Sequence, residues 1–311
     1  MATHPSGVPA QGPAPAEALP PTPTRRVVVV TDSTCGLPDG LAEQLGITTV
    51  PLTVHIGART GLEGLDVLPS DVARAMDARD KVSTSPPTAA AFSSAFTAAS
   101  GLGRAAQPYD IVAVTLSGQL SDTYAHAREA AAMLEQTGIR CIVVDGRSTA
   151  MGLGFAVLTA ARAAAEGYQA QAVARAADDA VRRTDTMLYV DTLEHLRRGG
   201  RIGGAQALIG TALSIKPLLH VYEGHIEPLD KQRGSAKALA RLEDIAVERS
   251  GSGAVQFAVQ HLAAPERAEE LASRLQRRLG RRVLGSAVSE LGAVVGAHVG
   301  PGVVGVAIHR L

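Results

Sequence analysis

Four short segments of the sequence carry hydroxyl side chains where predicted helices begin, a placement that suits the binding of an anion. They are Asp32-Ser33-Thr34, Thr84-Ser85, Ser117-Gly118-Gln119-Leu120-Ser121 and Asp145-Gly146-Arg147-Ser148. Three of them join a predicted strand to a predicted helix, and Thr84-Ser85 precedes a further predicted helix. The first turn of a helix presents free N–H groups and a partial positive charge, and neutral hydroxyls add donors. These segments therefore predict a site that holds a carboxylate or a phosphate.

Helix capping is the ordinary alternative for the same residues, because Ser and Thr are common N-cap residues. Ser85 is predicted as the N-cap of a helix that runs to Ala99, with Pro86 at its first position, where proline is favoured. Several such loops at one edge favour a binding site, whereas any one of them alone favours a cap. Both interpretations stay open at this point.

Signatures of nucleotide, metal or serine-hydrolase chemistry are missing from the sequence. No G-x-x-x-x-G-K-[ST] occurs, and Val157 stands where a dinucleotide fingerprint that begins with Gly152-Leu153-Gly154 needs a third glycine. The nine histidines show no metal-ligand spacing, so we predict no metal and no cofactor. A triad of Ser117, His298 and Asp32 stays open, although no G-x-S-x-G elbow supports it.

Charge and composition limit the classes of partner. The chain has 30 Lys and Arg and 30 Asp and Glu, with four Phe, five Tyr and no Trp. Such a chain has neither a net field for nucleic acid nor many platforms for base stacking. Cys35 and Cys141 are too few for a disulfide framework, which indicates a reducing, cytoplasmic location. No run of ~18 apolar residues predicts a membrane span.

The elements that must position the hydroxyl segments alternate regularly between residues 25 and 182. Apolar runs at residues 27–31, 48–55, 109–116 and 139–145 predict strands, and the segments between them predict helices. The helix predicted over residues 149–166 is apolar nearly all round, so both of its sides should be covered. This pattern predicts an α/β domain whose parallel sheet has helices on both faces and whose ligand lies at the carboxyl ends of the strands.

The pattern changes after residue 182. Two predicted strands flank Glu223-Gly224, which predicts a β-hairpin, and helices are predicted over residues 235–249 and 265–279. Residues 183–311 are therefore predicted to form a second, mixed α/β domain. Residues 1–24 contain seven prolines and almost no charge, which predicts a disordered leader.

Seven motifs, spread over residues 27–309, together resemble the DegV family in the order in which that family has them. They are Thr31-Asp32-Ser33-Thr34, Thr84-Ser85-Pro86-Pro87-Thr88, Leu116-Ser117-Gly118-Gln119-Leu120-Ser121-Asp122-Thr123-Tyr124, Leu193-Glu194-His195-Leu196-Arg197-Arg198-Gly199-Gly200-Arg201-Ile202, Ile215-Lys216-Pro217, Lys231-Gln232-Arg233-Gly234 and His298-Val299-Gly300-Pro301-Gly302. The resemblance implies a two-domain carrier, without catalysis of its own, that buries a long-chain fatty acid in a tunnel of the first domain. It also implies a separate, ATP-dependent fatty acid kinase as partner, which converts the presented carboxylate to an acyl phosphate.

The resemblance also implies roles for individual residues. The residues that would bind the carboxylate are Thr84, Ser117, Gly118 and His298. Arg201 and Arg233 would border the head group and contribute to docking of the kinase. The candidate walls of the tunnel are Phe92, Phe96, Met151, Phe155 and Leu158.

Two positions depart from the family pattern near the predicted head group. Gly118 stands where the family usually has a second Ser, and Asp122 stands where it commonly has Gly. A backbone N–H would replace the missing hydroxyl, and the carboxylate of Asp122 would repel a bound anion. A hydrolase or transferase with a hydroxyl nucleophile and a binder of another anionic lipid stay open as alternatives.

Overall fold

The computed structural model describes residues 25–104, 108–208 and 214–311, so the predicted leader over residues 1–24 lies outside the described residues. The strands in chain order are β1 (Val27–Asp32), β2 (Thr48–Val50), β3 (Thr53–Ile56), β4 (Arg59–Leu62), β5 (Val82–Ser85), β6 (Asp110–Thr115), β7 (Cys141–Asp145), β8 (Thr184–Tyr189), β9 (Ile215–Tyr222), β10 (His225–Arg233), β11 (Val255–His261), β12 (Val283–Glu290) and β13 (Val304–Arg310). The helices are α1 (Leu41–Gln44), α2 (Pro69–Asp77), α3 (Ala89–Ser100), α4 (Thr123–Glu135), α5 (Ala150–Ala165), α6 (Ala170–Arg182), α7 (Glu194–Arg198), α8 (Ser235–Arg249), α9 (Pro265–Leu279) and α10 (Ala293–Val299).

A four-stranded parallel sheet with the order β2-β1-β6-β7 forms the centre of the first domain. Successive side chains of a strand point to opposite faces, so Val29 and Val112 pack with α5 and α6. Val30 and Ile111 pack on the other face, with α3 and α4. The predicted α/β class, with a parallel sheet between helices, is confirmed.

A small antiparallel sheet, β4-β3-β5, lies beside the first sheet. The predicted helix start at Ser85 is wrong, because Ser85 is the last residue of β5 and Thr88 caps α3 by accepting a hydrogen bond from the N–H of Ala91 at 3.1 Å. A residue that precedes proline is disfavoured in the helical region. Pro86 and Pro87 therefore keep the chain extended until Thr88.

A six-stranded mixed sheet with the order β10-β9-β8-β13-β11-β12 forms the second domain. Helices α8 and α9 cover one face, and α5 contacts the other through Met151 and Phe155, which pack on Ala258 and Ala307. Helix α5 therefore lies between the two sheets, which confirms that both of its sides are covered. The predicted boundary at residue 182 falls between α6 and β8 and stays a prediction.

The predicted hairpin at Glu223-Gly224 is confirmed, since β9 and β10 pair antiparallel on either side of it. Both turn residues have positive φ, 47° and 83°, as a tight two-residue hairpin turn requires. Within the described ranges, no helix combines the length and apolar character that crossing a bilayer needs. The cytoplasmic location stays a prediction.

Candidate functional site

A cavity lies at the carboxyl ends of the parallel strands, between the first sheet and α10. Its volume is about 570 Å³, counting the part that is open to solvent. We call it the polar cavity, because it contains polar side chains among mostly Leu, Ile and Val. Its polar residues are Thr34, Thr84, Ser121, Thr149, Arg201 and His298.

Thr84 and His298 form the central polar pair of this cavity. The hydroxyl oxygen of Thr84 on β5 lies 2.9 Å from Nε2 of His298 on α10. Burial and the nearby charge of Arg201 lower the pKa of His298 to about 4, so the imidazole is neutral at pH 7. In the tautomer with hydrogen on Nε2, His298 donates to Thr84 and leaves the Thr84 hydroxyl free to donate to a ligand.

Glycines allow the close packing around this histidine. A Cβ atom on Gly199, just after α7, would clash with Nδ1 of His298, and one on Gly300 would clash with the ring of His195. Gly300 also has a φ of 80°, which glycine adopts without strain. Nδ1 of His298 is buried and has no hydrogen-bond partner among the described residues.

Arg201 supplies the positive charge of the polar cavity. Its Nε donates to the carbonyl of Leu120 at 3.0 Å, and its Nη1 donates to the carbonyl of Gly199 at 2.7 Å. These two bonds hold the guanidinium beside the cavity while its charge stays unpaired with a carboxylate in the described part of the chain. The structure thus brings together three of the predicted residues, Thr84, Arg201 and His298.

Ser117 and Gly118 lie elsewhere, beneath the hairpin turn of the second domain. The fully buried hydroxyl of Ser117 donates to the carbonyl of Gly224 at 2.8 Å and accepts from the N–H of Gln119 at 3.1 Å. Gly118 is exposed, and its N–H donates to the carboxylate of Asp145 at 3.2 Å. Neither residue lines the polar cavity.

The alternative triad of Ser117, His298 and Asp32 does not assemble, because each member bonds to another residue. Asp32 is fully buried, and its carboxylate accepts from the hydroxyl of Thr34 at 2.6 Å and from the N–H of Leu116 at 2.7 Å. Burial raises the pKa of this carboxyl. Asp32 therefore shapes two loops that line the cavity instead of acting on a ligand.

Arg233 and Asp122 also lie outside the polar cavity. Arg233 is exposed at the last residue of β10, roughly 25 Å along the strand from the hairpin turn. Asp122 is exposed before the first residue of α4 and lines no part of the cavity. The carboxylate of Asp122, which we expected to repel a bound anion, is therefore exposed to solvent and is not part of the cavity wall.

A second, almost wholly apolar cavity adjoins the first, with a volume of about 470 Å³ that also counts the part open to solvent. The two share the lining residues Thr149, Ile226, Val295 and Val299. We call it the apolar cavity; it lies between the start of α5 and the second sheet, and Met151 lines it as predicted. Its walls come from both domains, whereas the sequence places the tunnel walls in the first domain alone.

The other four predicted wall residues line neither cavity. Phe92 and Phe96 are fully buried between α3, α4 and the far face of the first sheet. Phe155 and Leu158 pack beside Met151 on α5. The apolar pattern of a helix identifies its buried residues, but it does not show which of them face a cavity.

Thr149, which lines both cavities, was not identified from the sequence. It is the N-cap of α5, yet its hydroxyl makes no capping bond and is buried without a partner among the described residues. The side chain of Gln260 caps α5 instead, since its Oε1 accepts from the N–H of Met151 at 2.7 Å. The next residue, Ala150, has a φ of 54°, a strained conformation of a kind often found at functional sites.

The two cavities together suit an amphiphile with one negative charge. Neutral donors and one cation surround the polar end, and aliphatic side chains surround the other end. In the ranges that the structure describes, no group of three or more His, Cys, Asp or Glu side chains could hold a metal ion. The donors at the polar end and the aliphatic walls favour binding by hydrogen bonds and apolar contact.

Comparison with known proteins shows the same fold in a defined family. A solved structure from Thermus thermophilus, described as the fatty acid binding of a DegV family protein, is 30% identical with a TM-score of 0.82 and covers 92% of this chain and 100% of that chain. DegV of Bacillus subtilis, described as a fatty acid binding protein, is 26% identical with a TM-score of 0.81 and covers 93% of this chain and 100% of that chain.

Sequence comparison covers a similar share of the chain. A DegV domain-containing protein of Streptomyces coelicolor is 45% identical over 285 residues, 92% of this chain and 99% of that protein. One of Mycobacterium tuberculosis is 39% identical over 282 residues, 91% of this chain and 96% of that protein. The family model described as "Uncharacterised protein, DegV family" matches residues 26–311. The chain therefore belongs to the DegV family.

Proposed function

We propose that the chain binds a long-chain fatty acid, with its carboxylate in the polar cavity and its tail in the apolar cavity. The observation that carries the proposal is that the two cavities are neighbours, with Thr149, Ile226, Val295 and Val299 in the walls of both. The Thermus thermophilus and Bacillus subtilis relatives, which are described as fatty acid binding, support it. Each buried methylene contributes ~0.8 kcal/mol, so the tail provides most of the affinity.

The carboxylate would accept a hydrogen bond from Thr84, whose oxygen is held by Nε2 of His298. Arg201 would offset the negative charge, since it borders the same cavity. Ser117 has one hydroxyl hydrogen, and Gly224 accepts it. Ser117 would therefore reach a carboxylate only after the hairpin turn moves away, and Gly118 only after its N–H leaves the carboxylate of Asp145.

The chain would act as a carrier that presents the carboxylate to a separate ATP-dependent fatty acid kinase for acyl-phosphate formation. The family motifs support this role, and so does the opening of the polar cavity to solvent. The position of Arg233, exposed and away from the cavity, suits contact with a partner protein better than contact with the ligand.

Mass spectrometry of lipid extracted from the purified chain tests the binding proposal. We expect a fatty acid in a near-stoichiometric amount. An empty extract that stays empty after incubation with a panel of fatty acids would contradict it, and another anionic lipid in the extract would replace the fatty acid as ligand.

The kinase proposal needs a separate measurement. With fatty acid, ATP and a DegV-partner kinase, we expect acyl phosphate, trapped as the hydroxamate, only when the chain is present. Turnover of acyl substrates by the chain alone would instead support a hydrolase or transferase.

A further inference from the structure

A buried carboxyl group, Glu63, holds the start of the helix that carries His298. Glu63 follows β4 and is 6% exposed. Its Oε1 accepts a hydrogen bond from the N–H of Val294 at 2.7 Å, and its Oε2 accepts one from the hydroxyl of Ser33. Ser33 in turn accepts from the N–H of Leu52 at 3.0 Å. The carboxyl group therefore links α10 to the loop after β1 and to the small sheet.

Helix α10 depends on this contact, because its own sequence is a poor helix former. It has seven residues, Ala-Val-Val-Gly-Ala-His-Val, and its N-cap is Gly292, which makes no side-chain capping bond. Valine and glycine have low helix propensity, and helices this short are not stable alone. An acceptor from another element must therefore satisfy the first N–H groups of α10.

The small sheet contacts α10 at both of its ends. Thr84 on β5 bonds to His298 near the end of α10, and Glu63 bonds to Val294 near its start. Both β4, which precedes Glu63, and β5 pair with β3. The spacing between the two contacts is thus set by one sheet, and α10 forms a wall of both cavities through Val295 and Val299.

We propose that Glu63 is a positioning residue, whose carboxyl group caps α10 and thereby fixes His298 against Thr84. The consequence for ligand binding rests on the proposed function, whereas the placement of His298 does not. Burial raises the pKa of Glu63, partly opposed by its bonds to Ser33 and Val294. Glutamine has the same shape as glutamate and keeps an oxygen that can accept from the N–H of Val294.

The test compares Glu63→Ala and Glu63→Gln with Asp66→Ala as a matched control. Asp66 lies three residues on, and its carboxylate accepts from the N–H of Leu62 in its own loop. NMR of the His298 ring, assigned with His298→Gln, reports its pKa and tautomer without ligand. Displacement of a fluorescent fatty acid reports affinity.

We expect Glu63→Ala to raise the pKa of His298 from about 4 toward the ordinary 6.5 and to weaken fatty acid binding on the order of tenfold. Glu63→Gln should retain the wild-type values, because its amide oxygen still accepts from Val294. Asp66→Ala should also retain them. Unchanged His298 signals in a folded Glu63→Ala protein would overturn the proposal.

A second variant, Gly292→Ala, changes the same contact from the side of α10. It keeps the proposal testable if Glu63→Ala does not fold. A Cβ atom on Gly292 would lie 2.5 Å from Oε1 of Glu63, and its φ of −57° allows alanine. Gly292→Ala should shift the His298 signals as Glu63→Ala does, and unshifted signals would overturn the proposal. If the wild-type chain binds no fatty acid, the proposed function fails while the His298 signals still decide the role of Glu63.

Discussion

Thr84 and Ser117 are two hydroxyl residues that the family resemblance places at one carboxylate, yet they lie in contrasting surroundings. Thr84 meets a side chain of the second domain, the neutral imidazole of His298, at the edge of a cavity. Ser117 meets the backbone carbonyl of Gly224 and is fully buried. Contacts with the second domain therefore determine which hydroxyl is free to bind a ligand. Three experiments test whether Thr84 and Ser117 differ in this way.

The largest expected effect is on the pH dependence of the free energy of unfolding. The partner of Thr84 is an imidazole, which can titrate, whereas the partner of Ser117 is a backbone carbonyl, which cannot. The pKa of His298 is lowered from 6.5 to about 4 in the folded chain. As the pH falls, the unfolded chain therefore binds the proton first, and the free energy of unfolding decreases between about pH 6.5 and 4, by up to about 3 kcal/mol. Urea unfolding at pH 7 and 4.5 measures this loss.

His298→Gln is the matched protein for that measurement. His309, whose pKa burial also lowers to about 4, contributes equally in both proteins, so the difference between them isolates His298. An identical loss of stability in wild type and His298→Gln would show that His298 is not held neutral by its surroundings.

The next effect is on affinity, through Thr84→Val. Valine keeps the shape of threonine and removes the hydroxyl, and a hydrogen bond to a charged group contributes ~1.5–3 kcal/mol. We expect fatty acid binding to weaken by about 10- to 100-fold, measured by displacement of a fluorescent analogue. Thr60→Val is the control, since Thr60 lies on the same small sheet and bonds to His55 instead. Equal affinities of the two variants would remove Thr84 from the head-group site.

The smallest effect on affinity is expected from Ser117→Ala. The change removes the bond to Gly224 and should lower the free energy of unfolding by about 1 kcal/mol, while the affinity for fatty acid changes by less than roughly twofold. Chemical denaturation and ligand displacement on the same protein separate the two effects. A loss of affinity as large as that of Thr84→Val would mean that the hairpin turn moves and Ser117 binds the carboxylate.

Much of the fold followed from local patterns. The apolar runs of β1, β6 and β7 between helices predicted the parallel sheet, which is found. Helix α5 is apolar on nearly all sides, which predicted that it is covered on both sides, as the structure shows. The helix start at Ser85 was predicted wrongly because Ser is a common N-cap and Pro is favoured at the first helical position. A proline also disfavours the helical conformation in the residue before it, so Pro86 and Pro87 keep the chain extended as far as Thr88. The helix α10 was missed, since its valines and glycine indicate low helix propensity and its cap, Glu63, is far away in the sequence.

The candidate site was predictable only in part. The motifs identified Thr84, Arg201 and His298, which the structure brings together at one cavity. They did not identify Thr149, because its free hydroxyl depends on Gln260, 109 residues beyond Met151, taking over the cap of α5. They also did not show that the apolar cavity is bounded by both domains.

Local sequence patterns were enough to predict the two α/β domains, the hairpin at Glu223-Gly224 and the hydroxyl loops at the carboxyl edge of the first sheet. These features depend on the periodicity of burial and on turn chemistry, which act over a few residues. The tertiary structure decided which hydroxyl is available to a ligand. That choice depends on contacts between residues 214 apart, as for Thr84 and His298, or 107 apart, as for Ser117 and Gly224, and only the packing of the two domains brings such groups within hydrogen-bond distance.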